Sequence, residues 1–228
     1  SSMKLTLPGN SSIPLEGEWR YRVEQDWGVR VPPDPSLSEG WTNAPYTLFD
    51  SRLAPLLPYG LRGVIWYQGE ANVSEAGLYR RLLPKLIEDW RRAFCQGNLP
   101  FLQVQLANFM APATVPQSSQ WAELREAQVT ALSEPEVGMA AAIDAGEEFE
   151  IHPHDKRTVG GRLAQWALAT TYEQGGDPCG PVYSHMTLET GGRIRIHFAH
   201  SSGLRTRCGD SVRHVAMAGT DQIFVWAE

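Results

Sequence analysis

Histidines and carboxylates crowd one short stretch of this 228-residue chain, Glu147-Glu148-Phe149-Glu150-Ile151-His152-Pro153-His154-Asp155-Lys156. His152 stands before a proline and follows a carboxylate, Glu150, by two positions. An imidazole beside a carboxylate is held in one tautomer and can take a proton from a nucleophile, the general-base arrangement of acyl transfer. The same acids could equally serve the dipole of a helix that follows, and spacing alone leaves both readings open. A metal reading of His152 and His154 lacks a third ligand at helical spacing. Two further polar clusters accompany this one, Gln68-Gly69-Glu70-Ala71-Asn72 and Gln105 with Asn108.

The elements that must position these groups alternate. Gly63-Val64-Ile65-Trp66-Tyr67-Gln68 is a β-branched and aromatic run that reads as a buried strand. From Tyr79, apolar residues recur at Leu82, Leu83, Leu86, Ile87, Trp90 and Phe94, one helical face, with Gly97 placed to stop it. Pro100 to Ala107 reads as a second strand. Ser119 can cap a helix whose inner face carries Trp121, Leu124, Gln128 and Leu132. Gly138 to Asp144 is a third strand of small residues, and a helix beginning near Asp155 carries Val159, Leu163, Trp166, Ala167 and Thr170 inward. The order βαβαβα implies an α/β fold, a parallel sheet with helices on both faces. Ligands of such sheets bind at the carboxyl ends of the strands, where all three polar clusters fall.

Outside this core, residues 1–58 are rich in Pro, Gly and Ser and read as an irregular insertion or extension. Residues 59–180 form the α/β core. Residues 181–228 return to strand patterning, an antiparallel tail in which Arg193 to Phe198 alternate and Gly191-Gly192 turn. The closing strand at Ile223 to Trp226 suggests partner strands that the sequence lacks.

Acids exceed bases by 26 − 20 = 6, which gives no electrostatic footprint for nucleic acid. No run of apolar residues is long enough to cross a membrane, and the first residues do not resemble a signal peptide. Cys95, Cys179 and Cys208 have neither disulfide-framework nor C-x-x-C spacing.

Three segments carry a resemblance: Trp66-Tyr67-Gln68-Gly69-Glu70-Ala71-Asn72, Trp121-Ala122-Glu123-Leu124-Arg125-Glu126-Ala127-Gln128, and Glu150-Ile151-His152-Pro153 with Lys156 and Val159-Gly160-Gly161-Arg162-Leu163-Ala164. Together they resemble the sialate O-acetylesterase family of SGNH hydrolases, collinearly from about Leu48 onward. The resemblance implies a flavodoxin-like three-layer α/β fold and serine-dependent removal of acetyl groups from sugar hydroxyls, with no cofactor and no metal. It implies His152 as catalytic base and Glu150 as its orienting acid, where the family usually has Asp. It implies an oxyanion hole from Gln68 and the Gly69 N–H, with Asn72 beside them. A secreted, periplasmic or lysosomal location follows from the resemblance alone.

The family's nucleophile lies early in its domain, in a Gly-Gln-Ser-Asn type block followed by a Gly-Gly-Thr block, and neither occurs here. The chain is therefore expected to be the C-terminal part of a catalytic domain, with an upstream fragment or subunit carrying the serine. Two alternatives are a non-catalytic carbohydrate-binding remnant and a subunit that completes a two-chain esterase. Gly209-Asp210-Ser211-Val212 looks like a superfamily signature but follows the histidine, and reads as a polar turn. Ser11, Ser12, Ser201 and Ser202 read as loop serines. Trp66, Trp90, Trp121 and Trp166 read as core, whereas Trp19, Trp27 and Trp41 suit either a sugar face or loop anchoring. Arg125 and Arg162 are expected to form buried ion pairs or cap the sheet, with Glu70 a candidate partner for one of them.

Overall fold

The computed structural model describes residues 4–6, 12–14, 47–57, 59–206, 209, 212 and 215–227. Trp19, Trp27, Trp41, Cys208 and the Asp210-Ser211 pair lie outside the described residues. The chain divides into two compact units, Ser1–Ala54 and Pro55–Glu228. In the first, β1 (Lys4–Thr6) pairs antiparallel with β2 (Ser12–Pro14).

The second unit holds a three-stranded parallel sheet in the order β3 (Val64–Trp66), β4 (Phe101–Val104), β5 (Val137–Ala140). All four residues of β4 are buried, as a central strand requires. Its neighbours alternate: Phe101 joins one apolar cluster while Leu102 and Val104 join another. Successive side chains point to opposite faces, so the clusters identify the two layers. On the Phe101 side pack Leu83 and Ile87 of α1 (Ala76–Phe94) and Leu124 and Ala127 of α2 (Gln120–Val129). On the other side pack Val159 and Leu163 of α3 (Lys156–Trp166). Each such side chain fully withdrawn from water contributes about 1.5–3 kcal/mol. Trp90 meets Trp66 and Phe101 edge to face while Trp66 and Phe101 are tilted, so both tryptophans are partly buried side chains packed against the first cluster.

Helix starts follow the sequence signals closely. Ser119 accepts from the Ala122 N–H at 3.2 Å and Asp155 from the Thr158 N–H at 2.9 Å, each satisfying a donor that has no partner within its helix. The end of α1 differs from expectation, because Cys95, not Gly97, takes the left-handed cap at φ 53°. The first strand also differs. Ile65 is 67% exposed and, among the described residues, β3 pairs only with β4, so in the described sheet the run lies at the edge and is not buried.

The tail forms two antiparallel hairpins, β6 (Val182–Glu189) with β7 (Arg193–Ala199) and β8 (Ala216–Ala218) with β9 (Phe224–Trp226). Gly191 and Gly192, at φ 77° and 73°, make the first turn. No helix among the described residues is long and apolar enough to cross a membrane.

Packing of α3 on the sheet depends on a missing methyl. A Cβ on Gly138 of β5 would lie 2.7 Å from Trp166 Cδ2 and 2.8 Å from Leu102 Cδ2. The indole cannot step aside easily, because its Nε1 donates to Met139 O at 2.8 Å. Gly138→Ala should therefore lower stability by about 1–3 kcal/mol through overpacking, read as a fall in the urea midpoint. A variant as stable as the parent would show that this contact is not tight.

Candidate functional site

Because β3, β4 and β5 run parallel, the loops that follow them emerge at one rim. After β3, Gln68 Nε2 donates to Asn72 Oδ1 at 2.6 Å, and the Asn72 N–H returns to Gly69 O at 2.9 Å. This closes a short helical turn, Glu70–Glu75. Gly69 sits at φ 155°, and a Cβ there would meet Leu124 Cδ2 at 3.1 Å and Gln128 Nε2 at 3.2 Å. Both the backbone angle and the close approach of α2 select glycine at this point.

The peptide between Gln68 and Gly69 is fixed from outside its own loop. Gln68 O accepts from Tyr79 Oη at 3.1 Å and from Gln128 Nε2 at 3.2 Å. Gln128 is fully buried on α2, and it also donates to Val104 O at 3.3 Å and accepts from the Leu106 N–H at 2.9 Å. One amide thus ties the ends of β3 and β4 together. Arg125 continues the row. Its Nε and Nη2 donate to Leu106 O and Ala107 O at 2.8 and 3.0 Å, and Trp121 Nε1 adds 2.7 Å to Ala107 O. Arg125 therefore caps the sheet without a carboxylate partner among the described residues, and burial lowers its pKa.

The third cluster is joined to the second by the backbone. Asn108 Oδ1 accepts from the Gly146 N–H at 2.7 Å, Phe109 and Glu147 form a parallel bridge, and the Met110 N–H reaches Glu148 O at 3.1 Å. Gln105 and Asn108 are structural members of this rim: the Gln105 amide donates to Arg125 O at 3.2 Å. Asp144 closes the far end of β5 through a bidentate pair with Arg162, at 2.6 and 2.9 Å, which raises the arginine pKa. Asp144, not Glu70, is the partner of Arg162. Glu70 forms an ion pair with neither arginine.

On the loop so anchored, Glu150 Oε1 takes the His152 N–H at 2.8 Å and lies 3.1 Å from His152 Nδ1. With Nδ1 protonated, Nε2 is the free base of the ring, and it has no hydrogen-bond partner among the described residues. The imidazole is 84% exposed. Hydrogen bonds from the His152 backbone and then its ring hold the Glu150 carboxyl below the usual glutamate range.

Gln68, Gly69 and Asn72 thus form one cluster in the loop after β3, and His152 with Glu150 another, on the segment between β5 and α3. No hydrogen bond joins the two clusters directly. A second histidine–carboxylate pair, His154 with Glu147 at 2.7 Å, escaped the sequence reading because its partners are seven residues apart across a loop with no period to reveal them. A third feature is the Tyr67 hydroxyl, buried and without a partner among the described residues, whose ring lies 4.9 Å beneath Lys156 Nζ. Burial raises its pKa first, and the charge of Glu70 adds to the shift. Among the described residues no group of three or more His, Cys, Asp or Glu is arranged to hold a metal ion.

A family model for carbohydrate esterases, the sialic acid-specific acetylesterases, matches residues 36–169. The sialate O-acetylesterase of Mus musculus is 36% identical over 145 residues, covering 55% of this chain and 26% of that one. The Homo sapiens sialate O-acetylesterase is 34% identical over 142 residues, covering 55% and 27%. The match thus spans about a quarter of the length of these curated relatives. A crystal structure of a carbohydrate acetylesterase from Xanthomonas citri superimposes with a TM-score of 0.72 at 39% identity, over 78% of this chain and 41% of that one.

Two outcomes test the site as built. Gln128→Leu leaves the buried Leu106 N–H without an acceptor, a loss of about 1–3 kcal/mol for that group alone; unchanged stability to denaturant would show that the amide is dispensable. Because the folded pKa of Glu150 is depressed, its loop contact is present above the unfolded carboxyl pKa, about 4.3, and is lost as pH falls through the folded value. An NMR titration should place the Glu150 carboxyl midpoint below that of the urea-unfolded chain. A midpoint equal to or above the unfolded one would contradict the contact.

Proposed function

Since the chain belongs to the sialic acid-specific acetylesterase family of carbohydrate esterases, we propose that it supplies the general base and the oxyanion donors of an O-acetyl-carbohydrate hydrolase. The attacking serine comes from a segment or subunit outside these residues. What supports the reading is the His152 imidazole, whose Nδ1 lies 3.1 Å from Glu150 and whose Nε2 has no partner among the described residues, on a segment tied to the loop that follows β4.

In the proposed cycle the serine Oγ forms a bond to the acetyl carbonyl carbon while its proton passes to His152 Nε2. Glu150 keeps the ring in the tautomer that makes this possible and stabilises the imidazolium. The carbonyl oxygen becomes an oxyanion, met by the Gln68 amide and the Gly69 N–H, with Asn72 orienting the Gln68 amide and adding its own N–H groups. Collapse breaks the bond to the sugar oxygen, which leaves with the proton from His152. Water then attacks the acetyl-enzyme with His152 again as base, releasing acetate and the free serine.

The substrate is an acetylated carbohydrate, as the names of the relatives suggest. The same reading takes the fold as the three-layer flavodoxin-like arrangement of SGNH hydrolases, with 59–180 as its core, 1–58 as an insertion or N-terminal extension and 181–228 as a tail. A secreted, periplasmic or lysosomal setting accompanies the same relationship.

In the enzyme assembled with its serine-bearing segment, His152→Ala should lower kcat on an aryl acetate by about 1,000-fold, within the range general-base catalysis supplies. Residues 1–228 alone should neither turn over the ester nor be labelled by a fluorophosphonate. Full activity of the His152→Ala enzyme, or labelling of a serine in the isolated chain, would overturn the assignment.

A further inference from the structure

The segment carrying His152 is closed by its own ends. Glu147 Oε1 takes the His154 N–H at 2.9 Å and lies 2.7 Å from His154 Nδ1, a contact that spans seven residues. The Glu150–His152 contact spans only two, so it travels with the segment and cannot anchor it. Glu147 is itself fixed to the loop after β4 by its bridge to Phe109, flanked by the bonds from Gly146 to Asn108 and from Met110 to Glu148. A Cβ on Gly146 would fall 1.9 Å from Asn108 O, which shows how closely those two loops are seated. On the other side, His154 O accepts from the Lys156 N–H at 2.7 Å, at the first residue of α3, and Asp155 caps that helix. His154 is thus the joint at which the segment meets α3, and Glu147 is the joint at which it meets the loop that follows β4.

Between these joints His152 has no apolar packing to fix it, since its ring is exposed. Only Pro153 of the immediate neighbourhood is buried. A base that must lie within hydrogen-bond reach of an oxygen held on another segment loses about 100-fold in rate for a displacement near 1 Å. We infer that Glu147 and His154 form a latch that positions His152, closing the segment between the loop after β4 and α3 so that the imidazole Nε2 is presented at one place on the rim. The latch works through the Nδ1–H and backbone N–H of His154 on one carboxylate oxygen; His154 itself transfers no proton. This inference rests on the reading of His152 as the base.

The test uses two readouts on Glu147→Ala, His154→Ala and His154→Asn, the last because an asparagine amide N–H can replace the Nδ1–H. In the assembled enzyme the alanine variants should lower kcat about 10- to 100-fold with KM within about twofold, and His154→Asn should recover most of the loss. In residues 1–228 alone, amide hydrogen exchange at Met110, Gly146 and His152, whose N–H groups are bonded across and within this segment, should accelerate by about tenfold or more in the alanine variants and stay near the parent in His154→Asn. Exchange unchanged in both alanine variants overturns the latch, as does accelerated exchange with kcat intact while His152→Ala remains inactive. A His154→Ala enzyme as inactive as His152→Ala, with no recovery by asparagine, overturns it too by making His154 a base. Loss of the underlying reading has a separate signature, full activity in His152→Ala, and the exchange experiment does not depend on it.

Discussion

The carboxamide of Gln128 is the interaction on which the rim depends. Parallel strand pairing in this sheet ends at Trp66 and Gln103 for β3 and β4, and every peptide group beyond that point needs another partner or carries a desolvation cost. Gln128, buried without remainder, answers for three of them: Gln68 O, Val104 O and the Leu106 N–H. An apolar residue would pack as well but satisfy none. Trp121 and Arg125 repeat the service toward Leu106 O and Ala107 O. Positions 121, 125 and 128 share one helical face, so α2 presents the sheet with a row of donors where a helix usually presents only hydrocarbon. The Gly69 backbone is held close against the same helix, so α2 helps to fix the Gln68–Gly69 peptide although it carries none of the oxyanion candidates.

How much of this was legible follows from the range over which each signal acts. Periodicity reported α1, α2 and α3 because burial repeats every three to four residues, and the caps Ser119 and Asp155 were readable because a cap acts within three residues. Edge and centre were not separable in the same way. Val64-Ile65-Trp66 is apolar at every position, yet nothing in those residues says whether a layer covers each face, and Ile65 proves open. Cys95 in place of Gly97 illustrates a different limit: the Cys95 N–H reaches Arg91 O and ends α1 before the glycine is met, at the modest strain of a left-handed non-glycine residue. Long-range pairs were the least visible. Glu70 was a reasonable partner for an arginine by charge alone, but Arg162 meets Asp144 eighteen residues away because β5 and α3 fold back on each other.

Burial and the candidate site are divided along the same line. The helices and β4 hold the apolar clusters, while the segment from Glu147 to His154 is nearly all surface and gains little from removing hydrocarbon from water. Order there has to come from hydrogen bonds to charged acceptors, which are stronger than neutral ones. The depressed pKa values of Glu147 and Glu150, each caused first by a backbone N–H and then by a ring, express that same stabilisation of the anion. A loop of this kind is precise only as far as its anchors are, and its anchors lie in the loop that follows β4 and in α3.

Glutamate stands at 150 where the resembling family usually has aspartate, and the geometry shows what the extra methylene does. From two residues before the histidine, Glu150 folds back so that one oxygen, Oε1, receives both the His152 backbone N–H and the Nδ1 side of the ring. An orienting acid needs only an anionic oxygen near Nδ1, and at 3.1 Å that requirement is met regardless of side-chain length. The longer chain loses more rotamer freedom, and the second hydrogen bond to the backbone offsets that loss. Glu147 and His154 repeat the same two kinds of bond, with the backbone distance alike and the ring contact shorter, 2.7 Å against 3.1 Å. The two histidines thus share one kind of carboxylate contact. What differs is mechanical: one pair closes a ring of two residues that moves wherever the segment moves, and the other spans the segment and ties it to the loop that follows β4. On the proposed reading a proton acceptor needs the first kind of contact for its tautomer and the second for its place, and the two pairs would divide those tasks between them.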